Sequence, residues 1–144
     1  MAHSHSQSIT IDAPPEELFD IVTDLLEYPD WLEGFEEVEI FEETEDGFPA
    51  RARMTVDAKI RTITYTLDYE YDYPHVVSWT NIPEESDVKE LNGSYRFTPQ
   101  GDSTLVEYEL SIDPGFRVPG FLLKQAQRAI MGAALKGLKE KAEA

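Results

Sequence analysis

The hydrophobic and polar positions of the chain first alternate and then change to a helical period. Residues 8–12 alternate like a strand, and from Pro14-Pro15 the apolar positions recur at helical spacing until Tyr28-Pro29. Proline at the first helical position, followed by two glutamates, is typical of a helix N-terminus. The residue before a proline is disfavoured in a helix, so the helix should end there. A second, one-turn helix closed by glycine is predicted over residues 30–34.

Between residues 35 and 113 the period changes to two, and turn-forming residues divide the segment into six predicted strands. Residues 76–82 fit either register, and we favour Val77, Trp79 and Asn81 on the inner face. The other predicted inner faces carry Val38, Ile40, Ala52, Met54, Val56, Ala58, Ile63, Tyr65, Leu67, Tyr69, Tyr71, Leu91, Gly93, Tyr95, Phe97, Val106, Tyr108, Leu110 and Ile112. The opposite faces are polar, which is typical of an antiparallel meander with one solvated face.

The last element is predicted as one long helix that begins at Pro119 and ends near Lys141. At about 100° per residue, the predicted inner face carries Leu122, Leu123, Ala126, Ile130, Ala133, Ala134, Gly137 and Leu138. The centre of this face is small. The order of elements predicts an α+β fold in which a curved, seven-stranded antiparallel sheet wraps around the long C-terminal helix, with two short helices between strands 1 and 2. A sheet wrapped around so small a helix face need not fill its interior, so we expect an internal apolar cavity that binds a ligand.

Composition narrows the possible functions. The 144 residues suit one domain, which we place at residues 7–144 after a disordered tail over residues 1–6. The chain has no cysteine and a formal net charge of -17, which argues against a thiol nucleophile, a cysteine-ligated metal and a nucleic-acid partner. No secretion signal or membrane span is apparent, so we expect a cytoplasmic protein. Residues 1–50 hold 15 acids and no Lys or Arg, which indicates either an acidic docking surface or simply an acidic front half beside a basic C-terminal helix.

Several short sequence segments resemble those of a known superfamily, which groups lipid-transfer (START-like) domains, polyketide cyclases and birch pollen allergen-like proteins (SRPBCC). They stand at residues 13–20, 28–31, 91–97 and 118–122, and look most similar to the bacterial polyketide cyclase and coenzyme Q-binding branches. The resemblance covers residues 7–141. It implies a helix-grip fold with a hydrophobic tunnel that binds lipids, sterols, quinones or polyketides, and leaves the choice among them to the residues.

Catalytic chemistry has weak support in the sequence. His75 is the only histidine within the predicted fold, and it sits in a turn, so neither a nucleophilic triad nor a histidine metal site is predicted. We therefore assign no catalytic residue, no metal and no cofactor. Tyr65, Tyr69, Tyr95 and Tyr108 place hydroxyls on an otherwise apolar face, where they either contact a ligand or serve as ordinary sheet aromatics.

The leading hypothesis is a carrier or binder of a hydrophobic small molecule, and the alternative is a polyketide cyclase or aromatase-type enzyme that uses the same cavity. A third hypothesis is an interaction protein with a filled core. Trp31 and Phe121 are expected at the cavity mouth, where Phe121 with Leu122, Arg117 and Lys124 could make a transient membrane contact or simply close the core. The predicted ligand-binding residues are Met54, Val56, Tyr65, Leu67, Tyr69, Trp79, Leu91, Tyr95, Tyr108, Leu110, Ala126, Ile130 and Ala133.

Overall fold

A computed structural model describes residues 3–59 and 61–144 and confirms the predicted helix-grip architecture. The seven strands are β1 His3–Ile11, β2 Phe35–Glu43, β3 Pro49–Asp57, β4 Thr62–Asp72, β5 Val76–Asn81, β6 Glu90–Gln100 and β7 Ser103–Asp113. They form one antiparallel sheet in the order β1-β7-β6-β5-β4-β3-β2. The helices are α1 Pro15–Thr23, α2 Tyr28–Trp31 and α3 Gly120–Glu143, with 3-10 turns at Leu25–Glu27 and Pro83–Glu85.

The N-terminal strand is longer than predicted. Residues 3–6, expected to belong to a tail, are paired with β7 from His3 opposite Ile112 to Ser6 opposite Glu109. Their alternating histidines and serines carry no apolar signal, and the strand forms because the edge of β7 offers unpaired backbone groups. Met1 and Ala2, the remainder of the predicted tail, lie outside the described residues.

The first helix is shorter than predicted. It ends at Thr23, whose hydroxyl donates to the Phe19 carbonyl at 2.9 Å inside the core. A 3-10 turn then leads directly into α2, in which Pro29 occupies the first turn. Proline is tolerated there because the first backbone N–H groups of a helix have no intrahelical acceptor, so Tyr28-Pro29 begins a helix where the sequence predicted an end.

The long helix is rotated relative to the prediction. Its buried residues are Leu123, Gln127, Met131, Ala134, Leu135 and Leu138, whereas Leu122, Ile130 and Ala133 are exposed. The observed buried face is displaced by roughly 100°, or one residue, from the predicted one. The predicted inner face did not include Gln127, but in the structure this polar side chain is buried and bonded to the sheet.

One end of the barrel-like interior is closed by aromatic rings. Phe19 lies within 4.9–6.4 Å, ring centroid to centroid, of Phe48, Tyr71, Tyr73 and Phe97. Tyr71 and Tyr73 lie at and just beyond the end of β4, Phe48 lies just before β3, and Phe97 lies on β6. The register of β5 follows the favoured alternative, with Val77, Trp79 and Asn81 buried. The other end of the sheet, where β3 ends and β4 begins, is left for the site.

Candidate functional site

A cavity of about 150 Å³ lies between the inner face of the sheet and α3. Its wall includes all thirteen of the predicted ligand-binding residues, from Met54 on β3 to Ala133 on α3. Sequence analysis missed other parts of the wall, among them Tyr28, Ile63, Val88, Ile112 and Gln127. An apolar cavity of this size holds a single aromatic ring.

A groove of about 410 Å³ adjoins the cavity at the open end of the sheet. The two spaces share Glu33, Phe35, Val56, Ala58 and three residues of α3, which are Ala126, Ile130 and Ala133. The exposure of Ile130 and Ala133 therefore has a simple explanation, because they stand at the boundary between cavity and solvent. Small side chains on α3 keep this boundary wide.

The predicted mouth residues lie elsewhere. Phe121 is 72% exposed, and Trp31 packs edge-on against Tyr28 and beside Gly137 of α3. Neither residue lines the cavity or the groove. Trp31 contributes to the packing between α2 and α3, and the residues that surround the opening come instead from the start of β2 and the end of β3.

Trp79 forms the floor of the cavity because Gly93 leaves space for it. A Cβ atom at Gly93 would lie 2.6 Å from Cζ2 of Trp79 and 2.7 Å from the Glu109 carbonyl oxygen. The indole can therefore approach the backbone of β6 closely, with its centroid 5.6 Å from that of Tyr95 and 5.9 Å from that of Tyr108. Tyr95 and Tyr108 themselves stack at 4.4 Å.

The cavity tyrosines are held in the neutral form. Burial raises the pKa of Tyr65, Tyr69, Tyr95 and Tyr108 well above its ordinary value, because an apolar wall cannot stabilise a phenolate. In the described part of the chain, the hydroxyls of Tyr65 and Tyr69 have no hydrogen-bond partner. The wall thus presents neutral hydroxyl groups to whatever occupies the cavity.

Comparison with known proteins assigns the chain to a family. The family model described as polyketide cyclase/dehydrase and lipid transport matches residues 2–143, nearly the entire chain. The chain belongs to this polyketide cyclase and lipid-transport family. No curated protein is similar enough in sequence to count as a relative.

Solved structures agree with the family assignment at the level of the fold. A START superfamily protein from Mycobacterium smegmatis is 22% identical, with a TM-score of 0.87 over 98% of this chain and 97% of that one. The Zhui aromatase/cyclase from a Streptomyces species is 20% identical, with a TM-score of 0.83 over 99% and 94% of the two chains. A STAR-related lipid transfer protein from Xanthomonas axonopodis is 16% identical, with a TM-score of 0.78 over 98% and 86%. At these identities the likeness shows a shared fold.

Gln127 is a buried, uncharged polar residue of the wall that sequence analysis missed. Only 2% of its surface is exposed, and its Nε2 donates to the backbone carbonyls of Leu110 at 2.8 Å and His3 at 2.9 Å. A signal was present in the sequence, because Leu123, Gln127, Met131 and Leu138 recur at helical spacing. A glutamine within such a stripe must find partners in the core, and here it joins α3 to β7 and β1.

Charged groups stand at the opening of this family member's cavity and not within it. The charged residues of the wall are Glu33 and Arg61, both exposed, and Arg61 lies over the Phe116 ring at 4.5 Å. Among the residues that the structure describes, no group of three or more His, Asp or Glu side chains could hold a metal ion. No helix in the same described ranges is long and apolar enough to cross a membrane. The site is an apolar chamber with uncharged polar groups.

Proposed function

We propose that this domain binds and carries a neutral hydrophobic small molecule in the cavity between the sheet and α3. The observation that carries the proposal is the wall itself, in which apolar side chains surround a few uncharged hydroxyl and amide groups. In such a cavity, the buried apolar area provides the affinity for a ligand, and a few polar contacts determine its orientation. A charged group would be poorly placed there, since no ionised partner among the described residues faces the interior.

The dimensions support a ligand with a ring-sized inner end and an extended remainder. The cavity holds about one ring, whereas the adjoining groove is larger and opens to solvent. The two spaces share a boundary of small α3 side chains, so one molecule can occupy both. A quinone, sterol, lipid or polyketide-like molecule has this combination of apolar body and neutral polar groups.

The alternative is a polyketide cyclase or aromatase-type enzyme, and the family description and the fold shared with an aromatase/cyclase favour it. Cyclisation requires a group that donates or accepts a proton inside the cavity. Burial moves the pKa of all five tyrosines of the wall upward and away from neutrality, which weakens them as acids and disfavours a phenolate that could act as a base. Binding alone requires no proton donor or acceptor in the cavity, so it is the preferred function.

Native mass spectrometry of the protein purified from its own source tests the proposal. We expect a fraction with one additional neutral molecule per chain, which organic extraction releases unchanged. Recovery of the protein without any small molecule, together with a co-purifying basic protein, would favour the interaction hypothesis. Conversion of an added poly-carbonyl chain into a ring product would instead establish the cyclase.

A further inference from the structure

Gln127 has one polar atom that the fold leaves unused. Both of its hydrogen-bond partners, the carbonyl oxygens of Leu110 and His3, are acceptors, so the amide nitrogen must face them. The amide oxygen Oε1 is therefore the side-chain atom left over. In residues 3–59 and 61–144, no group donates a hydrogen bond to it.

This oxygen belongs to a residue of the cavity wall that is 98% buried. Among the described residues, the fully buried side-chain atoms without a partner are the indole nitrogens of Trp31 and Trp79, so Gln127 Oε1 retains some accessible surface. A residue joined to two strands cannot rotate its amide without losing two hydrogen bonds. The acceptor is thus fixed in place before any ligand arrives. Such preorganisation favours a ligand that brings a donor.

We propose that Gln127 Oε1 accepts a hydrogen bond from a hydroxyl group of the ligand, so that the cavity selects neutral phenols or alcohols over apolar molecules without a hydroxyl. This inference rests on the proposed binding function and names its ligand class. A hydroxyl both donates and accepts, and the wall offers both counterparts, an acceptor at Gln127 and unpartnered hydroxyl donors at Tyr65 and Tyr69. A cationic amine would also donate, but the charged residues of the wall lie at the opening.

The test compares phenol with toluene, in which a methyl group replaces the hydroxyl at nearly the same volume. NMR titration of the wild-type protein gives both affinities. We expect tighter binding of phenol and a shift of the Gln127 side-chain amide signals that toluene does not produce. In Gln127→Met, the preference for phenol should fall about tenfold, equivalent to about 1.4 kcal/mol.

Gln7→Met is the matched control. Gln7 also ties β1 to α3, through a 3.1 Å bond from Nε2 to the Arg128 carbonyl, but it does not line the cavity. This variant should keep the preference for phenol despite any loss of stability. The wild-type signals need no variant, so the test stands even where Gln127→Met folds poorly.

Equal wild-type affinities for the two probes, or an unchanged preference in Gln127→Met, would overturn the assignment of Gln127 and leave the binding function intact. Absence of wild-type binding for both probes would overturn the binding function and the assignment together.

Discussion

At the scale of single residues, the tyrosines of the cavity differ in what their hydroxyls do. Tyr71 is half-buried, and its hydroxyl donates to the Pro49 carbonyl at 2.5 Å, outside the cavity wall. Tyr65 is buried in the wall without a partner in the described residues. The same residue type therefore stabilises the fold at one position and remains available to a ligand at another.

Tyr65→Phe should weaken the binding of a carbonyl- or hydroxyl-bearing ligand and leave the binding of a hydrocarbon ligand unchanged. The loss of one hydrogen bond corresponds to about 0.5–1.5 kcal/mol. Titration calorimetry measures both affinities. The control is Tyr71→Phe, which should lower the free energy of unfolding without changing either affinity. Equal affinities of the wild type and Tyr65→Phe for the polar ligand would return Tyr65 to an ordinary role in packing.

The buried tyrosines also predict alkaline unfolding. Burial raises the pKa of Tyr28, Tyr65, Tyr69, Tyr95 and Tyr108 in the folded state. A raised pKa adds stability that is fully present below the unfolded-state value of about 10 and is lost as the pH rises toward the folded-state values. Circular dichroism and tyrosinate absorbance should therefore change together above about pH 10. Full tyrosine ionisation before any loss of secondary structure would contradict the described burial.

At the scale of elements, alternation and helical spacing predicted the strands well and the helix orientation poorly. The six strands between residues 35 and 113 are confirmed because each has one apolar and one polar face. Residues 3–6 gave no such signal, since their pairing depends on β7. The end of α1 at Thr23 was also hidden, because neither glycine nor proline marks it.

The residues of the candidate site show the same difference between strands and helix in how well the sequence predicted them. Sheet residues of the wall follow from alternation alone, so Tyr65, Leu67 and Tyr69 could be placed from the sequence. The α3 residues depend on the rotation of the helix, which places Gln127 inside with hydrogen bonds to two sheet carbonyls. The helical stripe that contains Gln127 was easy to overlook because it includes a polar residue. Ala126, Ile130 and Ala133 reach the wall because the cavity opens beside them.

The rotation of α3 can be tested with two adjacent residues. Met131 is fully buried, whereas Ile130 is 38% exposed at the boundary of the groove. Met131→Ala should cost about 2–5 kcal/mol of unfolding free energy, the usual range for a buried large-to-alanine change. Ile130→Ala should cost less than about 1 kcal/mol, as for a partly exposed site. If urea denaturation gave the larger loss of unfolding free energy for Ile130→Ala, the inner face predicted from the sequence, which contains Ile130, would be supported instead.

At the scale of the whole molecule, negative charge exceeds what ion pairing can neutralise. The chain has 29 acids and 12 Lys and Arg residues. Local pairs do form, such as Arg51 with Asp68 at 2.7 Å and Arg53 with Glu39 at 3.1 Å, both on the sheet. Most carboxylates must nevertheless repel one another through solvent.

Added salt should therefore stabilise the protein. The Debye length falls from about 30 Å at 0.01 M to about 8 Å at 0.15 M, which screens repulsion between distant acids more than it weakens close pairs. The melting temperature should rise over this range of sodium chloride. A falling melting temperature would show that ion pairs dominate the electrostatic free energy.

The central claim is that the space between the sheet and α3 is empty and receives a ligand. Ala134 is the sharpest probe, because it is buried on α3 and lines the cavity without lining the groove. In Ala134→Phe the new ring should occupy the cavity, bury apolar surface at about 25 cal/mol per Å², and keep or raise the melting temperature. Ala129→Phe is the control, since Ala129 lines the groove alone.

The deciding measurement is NMR titration of toluene, whose single ring matches the cavity, into the wild type, Ala134→Phe and Ala129→Phe. We predict saturable binding by the wild type and by Ala129→Phe, and none by a folded Ala134→Phe. Wild-type affinity in Ala134→Phe, or a strongly destabilised Ala134→Phe beside a wild type that binds nothing, would contradict the account and indicate a filled core.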